Sequence, residues 1–365
     1  SSIFATNILL DSYFINNNPD NWTQNFYLSN VLKIISMLRF FIQRILIFSL
    51  PFILLLAVYL IKDPFKVLYN YDNYYEESVI GINRDFVSSE MYLKNSEKYQ
   101  YDSFIFGSSN ALSFPPSLWR KYISTHSSPF SFDASIESIS GIHSKIKFIH
   151  NNGCRIKNAL LVFDTGVTFR DFKNSGHIIM KHYSIYKSSW LKYHYESFTS
   201  FIDIKFLFSL MHYKISNRFY PYMVGILDDK VKYYDEITNE EYFYGPQNEL
   251  KADSLNYYQK REDIFRQICK VPENMTSQIS EEYRIMLEDI KEIFDVDSTS
   301  FRIVITPLLN KITFNNNDLK LLIEIFGESN VFDFSGINEY TLDISNYYDD
   351  THFKRYVGDE ILKEI

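Results

Sequence analysis

"YQYDSFIFGSSNALSFPP", residues 99–116, is the stretch on which the reading of the chain turns. The apolar run Phe104-Ile105-Phe106 ends at Gly107, the pattern of a short strand meeting a turn. Ser108 and Ser109 follow, and a loop closes on Pro115-Pro116. Gly107 permits a sharp change of direction. The strand can therefore present a serine hydroxyl at its carboxyl end, where open α/β sheets carry their functional groups.

Runs of the same kind recur downstream. Residues 130–132, 159–163 (ALLVF), 301–306 (FRIVIT) and 331–334 read as strands, and ALLVF is uninterrupted in the way of a strand buried on both faces. Between them lie helical segments. Residues 116–123 begin with proline, and 138–150 stop at Asn151-Asn152-Gly153. Residues 318–326 and 353–365 complete the set. The alternation predicts an α/β three-layer sandwich around a mostly parallel sheet. Residues 168–298 break the pattern and are too long for a loop. They are expected to form a helical insert beside the sheet's C-terminal edge. Residues 62–98, rich in Tyr, Asn and Glu, are expected to form a stalk ahead of a domain spanning 99–365.

Upstream, residues 40–61 read FFIQRILIFSLPFILLLAVYLI, with Arg44 their one charge. At 1.5 Å per residue this reaches roughly the thickness of a bilayer core. It predicts one N-terminal transmembrane helix, in which Pro51 is tolerated. Lys33, Arg39 and Arg44 before it slightly outweigh Lys62 and Lys66 after it, which have Asp63 between them. That bias places residues 1–39 in the cytoplasm and the main domain outside it, periplasmic or at the cell surface. The chain begins with Ser rather than Met, as a processed or partial chain would, so residues 1–30 carry no weight.

The composition excludes some classes. The net charge of −8 leaves no basic stripe to displace counterions, so no nucleic-acid partner is expected. Aromatic residues reach 18%, but Asn, Ile and Lys are also abundant, so the enrichment reads as coding bias rather than sugar-stacking surface. Cys154 and Cys269 allow one disulfide or two separate thiols, and spacing does not choose between them. No CxxC or Cys/His cluster points to zinc, and no cofactor is implied. His177, His182, His194 and His212 lack a metal-type spacing and read as structural. His143 and His150 read as packing or solvent-facing residues of a helix.

A serine hydroxyl is a poor nucleophile until a base takes its proton. The best candidate base lies in "NYYDDTHFKRYVGDEIL", residues 346–362, which holds Asp349-x-x-His352. At that spacing a carboxylate can reach one imidazole nitrogen and leave the other for the serine, the logic of a Ser-His-Asp triad. The bland alternative is that Asp350 or Thr351 caps the final helix and His352 merely decorates its first turn.

The serine after the domain's first strand and an Asp-x-x-His before its last helix resemble the SGNH, or GDSL-like, hydrolase superfamily over residues 99–365. The closer resemblance is to its membrane-anchored, extracytoplasmic branch, which includes proteins of teichoic-acid D-alanylation and alginate O-acetylation. The resemblance implies Ser109 as nucleophile, His352 as base and Asp349 as its orienting acid. Ser108 stands where the family usually has an Asp outside the triad. The family's second block supplies an oxyanion donor, and "FDASIESISGIH" offers Ser138 or Gly141 for it. The third block usually supplies an Asn side chain. Here the strand ends in Asp164, followed by Thr165; an ionised carboxylate cannot donate to an oxyanion. Asp164 is then either protonated or has another task, such as binding an acceptor hydroxyl. Thr168, Arg170 and Asp171 make a weaker claim at the same edge.

By the same resemblance, the expected function is transfer or hydrolysis of an acyl ester on a surface polysaccharide. A membrane-bound O-acyltransferase is the partner implied as acyl donor. Two alternatives stand beside it. One is a retired relative that binds a glycan or scaffolds a membrane partner. The other is a structural membrane protein in which the three residues lie far apart.

Overall fold

The computed structural model describes residues 20–74, 79–171, 176–228, 233–242, 244–266 and 275–365. They fall into two units that divide between Lys62 and Asp63.

The first unit is α1 (Asp20–Lys62), which includes a stretch from Phe26 to Lys62 long and apolar enough to cross a membrane. Only 6% of its most apolar window is buried, unlike the core helix of a globular domain. The helix extends N-terminal to the expected 40–61 and contains Pro51.

The second unit is built on five parallel strands. In chain order its elements begin with α2 (Arg84–Tyr99), β1 (Ser103–Gly107), α3 (Pro116–Trp119), β2 (Pro129–Ser131), α4 (Ile139–Asn151) and β3 (Asn158–Phe163). Then come α5 (Trp190–Phe201), α6 (Ile204–Ser216), β4 (Tyr233–Tyr234), β5 (Glu241–Tyr242), α7 (Tyr244–Ala252), α8 (Ser254–Gln259) and α9 (Glu262–Arg266). The chain closes with α10 (Glu281–Asp297), β6 (Ser300–Ile305), α11 (Asn316–Phe326), β7 (Val331–Asp333), α12 (Glu339–Leu342) and α13 (Arg355–Glu364). The main sheet has the order β2-β1-β3-β6-β7 with every neighbour parallel. β4 and β5 form a separate antiparallel pair.

The sequence explains the sheet directly. Ala159 to Phe163 are all buried, as an apolar run between two helical layers must be. Alternate residues divide between the layers. Ile105, Leu160, Val162 and Val304 join Trp119, Val357 and Ile361 in one core. Phe104 instead meets Tyr92 of α2, and Phe301 packs on Phe294 of α10 and Phe326 of α11. Each large side chain buried this way contributes about 1.5–3 kcal/mol.

Two expectations about organisation are corrected. The described part of 62–98 is no stalk. Phe65 and Val67 are buried, and α2 is capped by Asn83 and packs Phe86, Met91 and Tyr92 inward. The segment read as an insert also ends sooner than 298. α10 buries Leu287, Ile290 and Phe294, packs with α4 and leads into β6, so it is the crossover helix of the sheet. Among the described residues between β3 and α10 lie the α5–α6 pair, the 3-10 helix Pro221–Met223, the β4–β5 hairpin and α7 to α9.

In this order the chain leaves β1 toward β2 on one side and enters β3 on the other. The crevice between the carboxyl ends of β1 and β3 is the topological switch point, the place where such sheets bind ligands.

Candidate functional site

The switch point begins at Gly107. A Cβ there would lie 2.7 Å from the Val162 carbonyl oxygen of β3, so only glycine lets the two backbones approach. The chain then turns into a 3-10 helix from Ser109 to Ser113. The residues flanking Ser109 are both tied to one buried carboxylate. Ser108 Oγ donates to Asp164 Oδ2, and Asn110 Nδ2 donates to Asp164 Oδ1 at 2.9 Å. Thr306 Oγ1, at the end of β6, donates to the same Oδ1 at 2.8 Å. Asp164's own N–H donates to Thr168 Oγ1 at 2.8 Å. Asp164, 4% exposed, thus links the ends of β1, β3 and β6 and holds the turn on both sides of Ser109.

The partner loop comes from the C-terminal end. Tyr347 and Phe353 form an antiparallel bridge, with Tyr348 N–H donating to the His352 carbonyl at 2.8 Å. Within that loop Asp349 Oδ1 accepts from the N–H groups of Thr351 (2.9 Å) and His352 (2.8 Å). The other Asp349 oxygen lies 2.8 Å from His352 Nδ1. His352 Nε2 lies 2.8 Å from Ser109 Oγ. A carboxylate only accepts, so Nδ1 carries the proton beside it and Nε2 is left to accept from the serine. Burial works against the Asp349 charge, but hydrogen bonding to His352, the His352 charge and the two N–H groups hold its pKa down at about 2.

Docking of α13 places this loop. Ser113 Oγ donates to the Phe353 carbonyl at 2.7 Å, and Phe353, Val357 and Ile361 are fully buried. Gly358 is essential to the contact, because a Cβ there would fall 2.1 Å from the Ser113 carbonyl oxygen. The final helix is capped at Lys354, so neither Asp350 nor Thr351 caps it and His352 lies outside its first turn.

The segment between β3 and α10 braces the same loop. Tyr257 Oη of α8 donates to the Tyr348 carbonyl at 2.7 Å, and Tyr258 Oη donates to that of Tyr347 at 3.1 Å. Glu240 accepts from Arg355 Nη1 at 3.1 Å and from the Ser117 N–H of α3 at 3.1 Å. These residues were not singled out from sequence, where adjacent tyrosines in a Tyr-rich chain carry no signal.

The sequence-predicted residues therefore divide. Ser109, His352 and Asp349 form one hydrogen-bonded series. Asp164 stands beside them, with both oxygens occupied by protein donors. Thr165 is buried, and its hydroxyl has no partner among the described residues. Ser138 and Gly141 border a cavity of about 190 Å³ with Lys181 and Tyr186. A Cβ on Gly141 would sit 1.8 Å from Glu137 Oε1, so a buried acid explains that glycine. The backbone after β2 that meets the nucleophile turn is Ala134, whose N–H donates to the Gly107 carbonyl at 3.2 Å.

Glu137 belongs to a second polar cluster that the sequence did not announce. Lys145, fully buried, contacts Glu137 at 2.5 Å and Asp85 at 3.4 Å, and Lys181 contacts Glu137 at 2.5 Å. Burial disfavours the Asp85 charge, but Lys145 and Lys181 pull its pKa below the ordinary carboxylate value. The balanced charges pin α2 to α4.

The histidines set aside at the outset have structural contacts. His177 stacks on Phe65, and burial lowers its pKa to about 4. His182 faces Glu90, His143 faces Asp289 and His150 faces Asp297. His194 packs on Trp190, and His212 on Tyr220. Among the described residues no group of three His, Cys, Asp or Glu is arranged to hold a metal ion. Cys154 is a free, half-buried thiol, while Cys269 lies outside the described residues.

No protein-family model matches the chain, and no curated protein matches it.

Proposed function

We propose that the chain is a membrane-anchored serine enzyme of acyl-ester chemistry, using Ser109, His352 and Asp349. The observation that carries this reading is the unbroken series from Asp349 through both imidazole nitrogens to Ser109 Oγ, at 2.8 Å for each imidazole contact. It stands at the switch point of a parallel α/β sheet.

In the proposed reaction His352 Nε2 takes the Ser109 proton as Oγ attacks an acyl carbonyl. The tetrahedral oxyanion collapses to an acyl-serine, and the protonated imidazole donates to the departing oxygen. Water or a sugar hydroxyl then attacks the acyl-serine, giving up its proton to His352, and Ser109 is released. Asp349 holds the Nδ1–H tautomer and favours the imidazolium. For the oxyanion, the N–H groups of Ser109 and Asn110 open the 3-10 turn without intrahelical acceptors. Asp164 acts as a positioning residue.

With the resemblance to the SGNH superfamily, this reading takes a surface polysaccharide as the ester or acceptor and a membrane-bound O-acyltransferase as a donor partner. It places residues 63–365 outside the cytoplasm. A retired, glycan-binding relative is the weaker reading, because Asp164 has a positioning task and no longer argues for a lost donor.

The test is labelling of the full chain, purified in detergent, with a fluorophosphonate probe. Labelling that disappears in Ser109→Ala and falls sharply in His352→Ala supports the proposal. A folded wild-type chain that never labels opposes it.

A further inference from the structure

α6 is amphipathic in an unusual direction. It buries Phe206 and Ser209, and it leaves Ile204, Phe208, Met211 and Ile215 exposed, with Ile204 and Ile215 about 80% exposed. At 100° per residue these four positions fall within an arc of about 60°, opposite the buried pair. Lys205 and Lys214 project roughly 80–100° to either side of the stripe by the same count. An apolar stripe flanked by lysines is the pattern of a helix lying in a bilayer interface. On neighbouring α5, Leu191 and Tyr195 are likewise exposed. Residues 187–218 hold five Lys or Arg against two acids, in a chain whose net charge is −8.

The chain itself says what this face meets. α1 ends at Lys62, and the next residues are locked by Asp63, whose carboxylate accepts from the N–H groups of Val67 (2.9 Å) and Leu68 (2.8 Å). Phe65 follows, buried, with its ring 5.3 Å from that of Phe206 on the inner face of α6. Three residues span at most about 11 Å. Covalent connection alone therefore holds α6 close to the point where α1 ends.

We propose that the exposed face of α6 lies in the headgroup–acyl boundary of the leaflet from which α1 emerges, with lipid as its occupant and anionic headgroups on the flanking lysines. The proposal rests on α1 spanning the membrane. It gives the α5–α6 pair the task of seating the unit on the bilayer.

The experiment uses the full chain, with Cys154→Ser and Cys269→Ser, in vesicles of mixed zwitterionic and anionic phospholipid. An environment-sensitive fluorophore is placed on Met211→Cys of α6, Phe52→Cys of α1 or Glu288→Cys of α10, and lipids with brominated acyl chains serve as quenchers. The expected result is several-fold quenching at positions 211 and 52 and none at 288, with the quenching at 211 reduced by Lys205→Glu together with Lys214→Glu. Quenching at 52 with position 211 behaving like 288 overturns the proposal and leaves the anchor standing. Absence of quenching at 52 removes the anchor and the proposal together. A position 211 that is shielded from aqueous maleimide in native membranes but open in the vesicles assigns the face to a membrane protein, which also overturns it.

Discussion

The two halves of the candidate site are held by opposite means. The turn that bears Ser109 is fixed from beneath by buried polar contacts, with Ser108, Asn110 and Thr306 converging on Asp164. The loop that bears Asp349 and His352 is half-exposed and is held from outside, by α13 docking on Ser113 and by tyrosines of α8. The difference teaches where each kind of substitution should register. Damage beneath the serine should appear in stability. Damage in the histidine loop should appear in chemistry while the fold survives.

The largest expected effect is on the loop. His352→Ala should lower kcat for an activated ester by about 10⁶-fold, and Asp349→Asn by about 10⁴-fold, the scale seen when a triad member or its orienting acid is removed. The Tm of both variants should fall by no more than the modest contribution of the Asp349 carboxylate, since neither group holds the core. A fall in Tm as large as that from a core mutation would erase the contrast.

Asp164→Ala is the matching test beneath the serine. It strands the buried donors of Ser108 and Asn110, each costing about 1–3 kcal/mol when unsatisfied, and leaves Thr306 only the Phe163 carbonyl at 3.3 Å. Urea unfolding should show a clear loss of stability, with activity lost alongside it. An Asp164→Ala chain of wild-type stability would mean that the buried contacts do not hold the turn.

Gly358→Ala probes the joint between the halves. Its Cβ has no room against the Ser113 carbonyl, so α13 must shift, at the roughly 1–3 kcal/mol typical of overpacking. Because the shift moves His352 relative to Ser109, kcat should drop with KM little changed. Steady-state kinetics check this.

The smallest effect is in acid. Asp349 is held from an ordinary carboxylate value near 4 down to about 2, with burial opposing and the His352 contacts prevailing. A depressed carboxyl contributes stability that is complete above its unfolded pKa and lost as pH falls through the folded one. The contribution should therefore be whole above about pH 4 and vanish toward about pH 2. Asp349→Asn should flatten stability against pH in that window alone, as followed by circular dichroism.

Much of this arrangement was legible in the sequence, for identifiable reasons. ALLVF announced β3 because a strand covered on both faces tolerates no polar residue. Asp349 and His352 were legible as a pair because their contact is local. Asp164 was noticed but its task was not, since Ser108, Asn110 and Thr306 lie 56, 54 and 142 residues away. The smallness of Gly141 answers to buried Glu137, a contact that its sequence neighbourhood does not announce. Residues 62–98 looked like a stalk because tyrosine and asparagine dominate there, although Tyr92 packs within the core against Phe104 and Phe132. α10 was merged with the insert because its apolar residues form one stripe on an otherwise charged helix.

The most direct test of the central claim is capture of the covalent intermediate. The full chain in detergent is mixed with p-nitrophenyl acetate, quenched in acid within the first turnover, and its peptides are mapped by mass spectrometry. The account predicts a burst of nitrophenol with the acetyl group on Ser109, and neither in His352→Ala. An acetyl group on another residue, or a folded chain that shows no burst and no adduct, would contradict it.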